Sequence, residues 1–207
     1  MKYRLGLILL ALAFIISGCG AKKSQELPPL QPGWEQITSA GKVVIALPEG
    51  AYDAESIENS HEDGFDIEVQ IFDSAPTDWE LPMIGVVEVT PPFWYGWAFR
   101  LFDDWGNQEV RKQAEEGFRS EFTKTIREEF DGARVKWAPS KVITLHNKKV
   151  LVMSGSLIVF PRTEYQMDWV HETYVWNHRG RLYMIGMIGP DIPADFREKF
   201  LLQVQLP

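Results

Sequence analysis

Apolar and polar residues alternate over positions 65–71, and this period of two predicts a half-buried β-strand. The apolar set is Phe65, Ile67, Val69 and Ile71. Two further strands are predicted over 42–47, which is rich in β-branched residues, and over 83–89, where Gly85 suggests a bulge. Residues 51–64 are polar and acidic, and they predict a surface loop between the first two strands.

The period changes to four over residues 107–131, which predicts one long amphipathic helix. The apolar positions of this helix are Val110, Ala114, Phe118, Phe122, Ile126 and Phe130. Asp104 or Asn107 is the predicted N-cap, and Gly132 suits the left-handed conformation that ends many helices.

Strand patterns return after the helix and form two predicted hairpins. The first joins 141–145 to 149–160, and the second joins 168–176 to 181–188 across a turn at 177–180. A short terminal helix opens at 191–193, with one apolar face formed by Phe196, Phe200, Leu201 and Val204. This order predicts an α+β fold: an antiparallel sheet of about six to eight strands, with one long central helix and a short C-terminal helix packed on it.

The first nineteen residues follow a different pattern. Lys2 and Arg4 precede an apolar run that ends at the tetrapeptide Ile16-Ser17-Gly18-Cys19. A basic start, an apolar stretch and small residues before a cleavage point are typical of a secretory signal peptide. The tetrapeptide resembles the bacterial lipobox at all four positions, which implies cleavage after residue 18 and a lipid on Cys19.

Two other interpretations of this segment are an uncleaved membrane helix and an ordinary signal with a chance cysteine. The apolar core has about a dozen residues, fewer than the roughly 20 needed to span a bilayer. Cys19 is also the single cysteine of the chain, which favours lipidation. Because Gly20 rather than Asp follows it, the outer membrane is favoured if the cell is Gram-negative.

The predicted organisation is a signal peptide over 1–18, a lipidated Cys19 with a flexible tether over 19–33, and a single domain over 34–207. Pro28, Pro29, Pro32 and Gly33 make helix unfavourable in the tether. The net charge of −8 disfavours nucleic acid as a partner, because both would be anionic. With the single thiol assigned to lipid, no intrachain disulfide is expected.

The elements and their order resemble the PsbP/Mog1/DcrB-like group of small α+β domains, several of which are lipid-anchored. The matching stretches are Val43–Pro48 near the start, and Glu172–Trp176 with Arg181–Ile185 near the end, followed by a helix. The segment between Pro48 and Trp105 departs from that group's compact pattern. The resemblance implies a non-catalytic assembly or binding role and carries no active-site residues.

Motifs for catalysis and metal binding are missing from the sequence. His61, His146, His171 and His178 lie in no zinc-binding spacing, so each is interpreted as hydrogen-bonded or facing solvent. Ser154-Gly155-Ser156 lacks the spacing of a nucleophile elbow, and its small residues are expected to let a helix approach the sheet. We therefore predict no catalytic residue, no metal site and no cofactor.

The most aromatic stretch covers residues 91–106, and it is the candidate ligand-binding surface of the chain. Its candidate binding residues are Trp94, Tyr95, Trp97 and Trp105, whose rings suit stacking on a sugar or clamping a peptide. The alternative is that these rings form core between sheet and helix.

Three functions follow from this sequence. The favoured one is a membrane-anchored lipoprotein of the cell envelope, facing the periplasm or the exterior, that binds a partner protein or a small ligand without catalysis. The second is a carbohydrate- or peptidoglycan-binding lipoprotein that uses the aromatic stretch. The third is a hydrolase of an unrecognised class that uses carboxylates distant in sequence.

Overall fold

The computed structural model describes residues 28–62, 64–74, 81–92, 105 and 108–207. Its strands are β1 (Trp34–Thr38), β2 (Val44–Pro48), β3 (Tyr52–Ala54), β4 (Glu58–Glu62), β5 (Phe65–Ser74), β6 (Met83–Thr90), β7 (Arg134–Trp137), β8 (Lys141–Leu145), β9 (Lys148–Val159), β10 (Met167–His178) and β11 (Arg181–Gly189). Its α-helices are α1 (Gln108–Glu129) and α2 (Ala194–Leu202), and a 3-10 turn covers Ala40–Lys42.

The described strands form a nine-stranded antiparallel sheet and a separate β1–β2 hairpin. The large sheet has the order β3-β5-β6-β11-β10-β9-β7, with β4 paired to β5 and β8 paired to β9. The predicted α+β class, with one long and one short helix, is confirmed. The sheet has nine strands rather than six to eight because β3, β4 and β7 add to it.

Residues 51–64 hold the main correction to the predicted elements. They contain β3 and β4, where a loop was expected, and both strands pair with β5. The side chains of β4 whose burial is described are exposed, so no apolar alternation marks this strand. Backbone hydrogen bonds to β5 form it, and they leave no signal in the side-chain pattern. Gly85 also differs from expectation, because it pairs in regular register with Ile71 and Gly186 and forms no bulge.

Tight turns set the register of the two C-terminal hairpins. His146 and Asn147 join β8 to β9 with φ of 50° and 61°, and Arg179 and Gly180 join β10 to β11 with φ of 53° and 77°. Positive φ at both central residues is typical of the two-residue turns that match the twist of antiparallel strands. The second turn is therefore two residues shorter than the predicted one.

The sheet is covered on both faces by apolar clusters. On one face, the β1–β2 hairpin and α2 cover a continuous core that includes Ile45, Phe72, Trp176, Ile185 and Phe200. We call this the α2 face. On the α1 face, Ala114 and Phe118 pack near Leu151, while Ile126 and Phe130 pack near Leu157 further along β9.

The C-terminal end of α1 agrees with the predicted capping. Gly132, three residues beyond the end of α1, has a φ of 73°, which confirms the left-handed stop. The two N-cap candidates of α1 lie outside the described residues. Neither helix of the described part of the chain combines the length and the apolar composition that a membrane crossing requires.

Candidate functional site

The predicted site residues divide into two groups. Cys19, Trp94, Tyr95 and Trp97 lie outside the described residues, so lipidation and the aromatic binding surface stay predictions. Trp105 is described, and its side chain is in the core: it is 5% exposed, packs near Leu151, and its Nε1 donates to the Val175 carbonyl at 3.1 Å. The side chain of Trp105 therefore lies in the core, as in the alternative interpretation of the aromatic stretch.

A polar pocket begins where the apolar pattern of β9 is interrupted. On the α2 face, β9 presents Val150 and Val152 to the core, and the next two residues on that face are Ser154 and Ser156. Cross-strand partners point to the same face, so Ser156 lies between Lys136 of β7 and Val170 of β10. Ser154 is likewise paired with Glu172. Larger side chains fill the rest of this face, so the two small serines leave a depression and form its floor.

The pocket above these serines has a volume of about 470 Å³, and we call it the Arg197 pocket. Lys136 of β7 and Ala138, just after this strand, border it on one side. On the other side are Glu172 of β10, the segment Asp191-Ile192 and Arg197 of α2. The pocket is therefore lined by the strands β7, β9 and β10, by the segment that follows β11 and by the first turn of α2.

The acidic groups of the Arg197 pocket already have partners. Arg197 Nη1 donates to Glu172 Oε1 at 2.6 Å, and the Tyr174 hydroxyl donates to Glu172 Oε2 at 2.5 Å. Asp191 Oδ1 accepts the backbone N–H of Ile192 at 2.8 Å, just before α2. Burial, and then the hydrogen bond to Glu172, raise the pKa of Tyr174 well above its usual value, so its hydroxyl stays protonated. Glu172 is thus held in place by one cation and one neutral donor.

The opposite face of the same strands is aromatic and almost closed to solvent. His171 is 1% exposed; its ring lies 4.8 Å from that of Phe122 and 4.6 Å from that of Trp137, measured between centroids. Neither of its nitrogens has a hydrogen-bond partner among the described residues. Burial lowers the pKa of His171 to about 4, against a smaller opposing effect of Glu172, so the ring is neutral at pH 7.

Gly155 provides the space for this histidine. A Cβ atom at this position would lie 2.7 Å from His171 Nε2 and 2.2 Å from the Lys136 carbonyl oxygen. The small residues 154–156 were expected to admit a helix. The serines instead face the Arg197 pocket, and the glycine admits the ring of a neighbouring strand.

His171 also corrects the prediction that every histidine is hydrogen-bonded or exposed. The other three agree with it: His61 contacts Asp66 at 2.7 Å, His146 contacts the Leu201 carbonyl at 3.1 Å, and His178 contacts the Pro207 carbonyl at 3.1 Å. The described residues contain no group of three or more His, Cys, Asp or Glu side chains able to hold a metal ion.

Two carboxylates also converge elsewhere in the sheet, which bears on the hydrolase alternative. Glu68 and Glu88 are directly opposite on β5 and β6. Glu68 Oε2 accepts the N–H of Gly41 at 2.8 Å, and Glu88, 4% exposed, accepts from Arg181 Nη1 at 2.5 Å. Gly41 has a φ of 64°, and a Cβ there would lie 2.6 Å from Glu88 Oε2. These carboxylates therefore fix the turn at Ala40–Lys42 against the sheet.

A second cavity, of about 630 Å³, lies on the α1 face, at the start of β10 and the end of β11. Its lining is mostly apolar and includes Met83, Trp169 and Ile188, with Asp73 and Asp168 among the polar residues. The two cavities therefore differ in the chemistry that they offer.

Comparisons with known proteins show which fold this chain has. No family model and no curated protein matches the sequence. The solution structure of cyanobacterial PsbP (CyanoP) from Synechocystis sp. PCC 6803 is similar, with a TM-score of 0.52 and 11% sequence identity. The match covers 91% of this chain and 99% of that one.

The chain has a PsbP-like fold. The expected resemblance is thereby confirmed at the level of architecture, including the long helix and the short C-terminal helix. The PsbP-like fold identifies no functional residue, so the candidate site rests on the geometry of the Arg197 pocket alone.

Sequence analysis did not identify the acidic and basic residues of this pocket. Lys136, Glu172, Asp191 and Arg197 are spread over about sixty positions, and only the pairing of β7, β9 and β10 brings them together. One usable signal was present: two consecutive inward positions of a long apolar strand are serines.

Proposed function

We propose that this chain is a lipid-anchored protein of the cell envelope whose PsbP-like domain binds a small ligand or a partner protein without catalysis. The observation that carries the binding role is the Arg197 pocket, an open cavity lined by charged and hydroxyl side chains. Concave sites with a few fixed polar groups are the usual form of ligand sites in proteins.

The state of the polar groups in the pocket favours binding over turnover. Glu172 is shared by Arg197 and Tyr174, which leaves it a poor general base. Among the described residues, neither Ser154 nor Ser156 is hydrogen-bonded to a histidine, as an activated nucleophile would be. The His171 ring is 1% exposed among aromatic side chains on the other face of the sheet. The pocket thus supplies positioned contacts rather than an acid–base pair.

The anchor is supported by the sequence and by where the fold begins. The lipobox-like tetrapeptide ends at Cys19, and the proline-rich tether was predicted to end at residue 33. The first strand, β1, begins at Trp34. Residues 20–27 have the polar composition of a spacer between a membrane and a folded domain, and the prolines at 28 and 29 already contact that domain through Gln203.

The anchoring half of the proposal is tested by moving the thiol. Cys19→Ser should abolish incorporation of labelled palmitate and release the protein from the membrane fraction, because the acyl chains need that sulfur. The matched control is Cys19→Ser combined with Ser24→Cys, which keeps one thiol but places it away from the cleavage point, and it should behave like Cys19→Ser. Unchanged labelling and unchanged sedimentation of Cys19→Ser would contradict the proposal.

The non-catalytic half is tested on the full chain extracted from its own membrane in detergent. Native mass spectrometry should show a bound envelope component that is released on denaturation with its mass unchanged. Steady conversion of that component into a product of different mass would show that the protein is an enzyme.

A further inference from the structure

We propose that the Arg197 pocket binds a short zwitterionic peptide, with its carboxylate at Lys136 and its ammonium group at Asp191. This inference rests on the binding role proposed above and names the class of ligand. It follows from the position of the charges in the pocket, the distance across it and the nature of its floor.

The charges of the pocket lie on opposite sides. Lys136 is exposed on β7, and among the described residues its ammonium group has no ion-pair partner. Asp191 lies across the pocket, and the hydrogen bond from Ile192 to Oδ1 leaves Oδ2 open to a second donor. On the same side as Asp191, Glu172 and Arg197 neutralise each other at 2.6 Å. The charges left for a ligand are therefore one positive and one negative.

This balance selects against singly charged ligands. A simple anion would pair with Lys136 alone and would be repelled by the carboxylates across the pocket, and a simple cation would pair with Asp191 alone and be repelled by Lys136. A ligand with both charges pairs with each side and leaves no like charges adjacent. The net charge of −8 for the whole chain adds a further cost for multiply charged anions.

The width of the pocket excludes the shortest zwitterions. Lys136 lies on β7 and Asp191 follows β11, so the strands β9 and β10 lie between the elements that carry these two charges. Neighbouring strands are about 4.8 Å apart, so a ligand that pairs with both charges needs more than one residue. A free amino acid is too short to reach both sides.

The floor of the pocket suits a peptide backbone. Ser154 and Ser156 present two hydroxyl groups, each able to donate and to accept, and among the described residues neither has a hydrogen-bond partner. Their side chains are small, which leaves the volume of about 470 Å³ above them open. Backbone N–H and C=O groups of a short peptide match hydroxyl partners better than an apolar ligand does.

The test is a titration of the full chain in detergent with trialanine, N-acetyl-trialanine, trialanine amide and free alanine, followed by calorimetry. Trialanine should bind saturably, and loss of either terminal charge should weaken binding about tenfold, the effect of losing one charge-assisted hydrogen bond. Free alanine should bind weakly because it reaches one side only. Equal affinity for trialanine and its blocked forms would overturn the proposal.

Two variants test which pocket residue binds the carboxylate of the peptide and which binds its ammonium group. Lys136→Gln should remove the preference for the free acid over the amide while keeping the preference for the free amine. Asp191→Asn should remove the preference for the free amine while keeping the preference for the free acid. The asparagine retains an oxygen that can accept from the Ile192 N–H. Loss of both preferences in each variant, with an unchanged melting temperature, would overturn the assignment.

The matched control is Lys112→Gln, which makes the same charge change on α1, where Lys112 is 68% exposed and 3.9 Å from Glu116. It should bind all four probes like the unaltered chain. A folded, acylated protein that binds none of the probes overturns this inference and leaves the anchor standing. A protein that binds trialanine but carries no lipid overturns the anchor and leaves this inference standing.

Discussion

His171 and Glu172 are neighbours on β10, and the two faces of the sheet give them opposite surroundings. Glu172 points to the α2 face, where Arg197 and Tyr174 donate hydrogen bonds to its two oxygens. His171 points to the α1 face, where it packs between the rings of Phe122 and Trp137 with no hydrogen-bond partner among the described residues. Successive side chains of a strand point to opposite faces of its sheet, and this alternation separates the two residues.

The difference shows two ways in which a protein accommodates a titratable group. A carboxylate is compensated for its lost water when a cation and a neutral donor take the place of that water. An imidazole with no such partner avoids the cost of desolvation by staying neutral, which is why its pKa falls to about 4. One face is therefore suited to charged ligands, and the other makes the fold sensitive to acid.

The largest expected effect comes from Gly155, which lies between the two faces. Gly155→Ala places a Cβ 2.2 Å from a backbone oxygen, so β7 or β9 must shift. We expect the free energy of unfolding to fall by about 3 kcal/mol or more, measured by urea denaturation. The control is Gly85→Ala, where no atom lies within 4 Å, and it should change stability by less than about 1 kcal/mol. Equal effects of both changes would show that Gly155 makes no close packing contact.

The acid sensitivity of the α1 face is the next largest effect. Because the folded state holds the pKa of His171 near 4 and the unfolded chain has 6.5, protons bind the unfolded state first. Stability is therefore complete above about pH 6.5 and falls as the pH drops towards 4. The expected loss is about 3 kcal/mol.

His171→Leu isolates this contribution, because leucine is similar in volume and does not titrate. The loss of stability between pH 6.5 and pH 4 should be smaller by about 3 kcal/mol in the variant, measured as urea midpoints over that range. A pH dependence identical to that of the unaltered chain would show that folding does not shift the pKa of His171.

The smallest effect concerns the ion pair of the α2 face. A double-mutant cycle with Glu172→Gln and Arg197→Met should give a coupling energy of about 1 kcal/mol, because the pair is only partly shielded from water. The control is the pair of Lys112 and Glu116, 3.9 Å apart with both side chains about two-thirds exposed, which should couple by less than about 0.5 kcal/mol. A coupling no larger than that of the control would show that the pocket does not hold Glu172 rigidly.

Much of the fold was predictable because its strongest patterns are periodic. The spacing of Phe118, Phe122 and Ile126 placed α1 within about two residues of its bounds, and the alternation from Phe65 placed β5. The strand β4 was not predictable in this way, because the described side chains of this strand are exposed and only its backbone pairs. Edge strands of this kind are specified by their neighbours rather than by their own residues.

The candidate site was not predictable for a related reason. Arg197 meets Glu172 only because α2 returns across β10, and Lys136 meets Ser156 only through the register of β7 with β9. Periodicity reports which face a residue occupies, but it does not report which distant residue shares that face. His171 could not be foreseen either, since its surroundings come from α1 and β7.

The attachment of residues 28 and 29 has a mechanical consequence. Gln203, just after α2, donates from Nε2 to the carbonyls of Pro28 and Pro29 at 3.1 and 3.3 Å, and Gln205 pairs with Val44. Arg197 lies six residues earlier, about 9 Å along the helix axis. Tension on a lipid-held leader would therefore act on the C-terminal end of α2 and on β2. The Arg197 pocket, at the N-terminal end of that helix, would be spared this strain, so the proposed anchoring and the proposed binding would be mechanically separate.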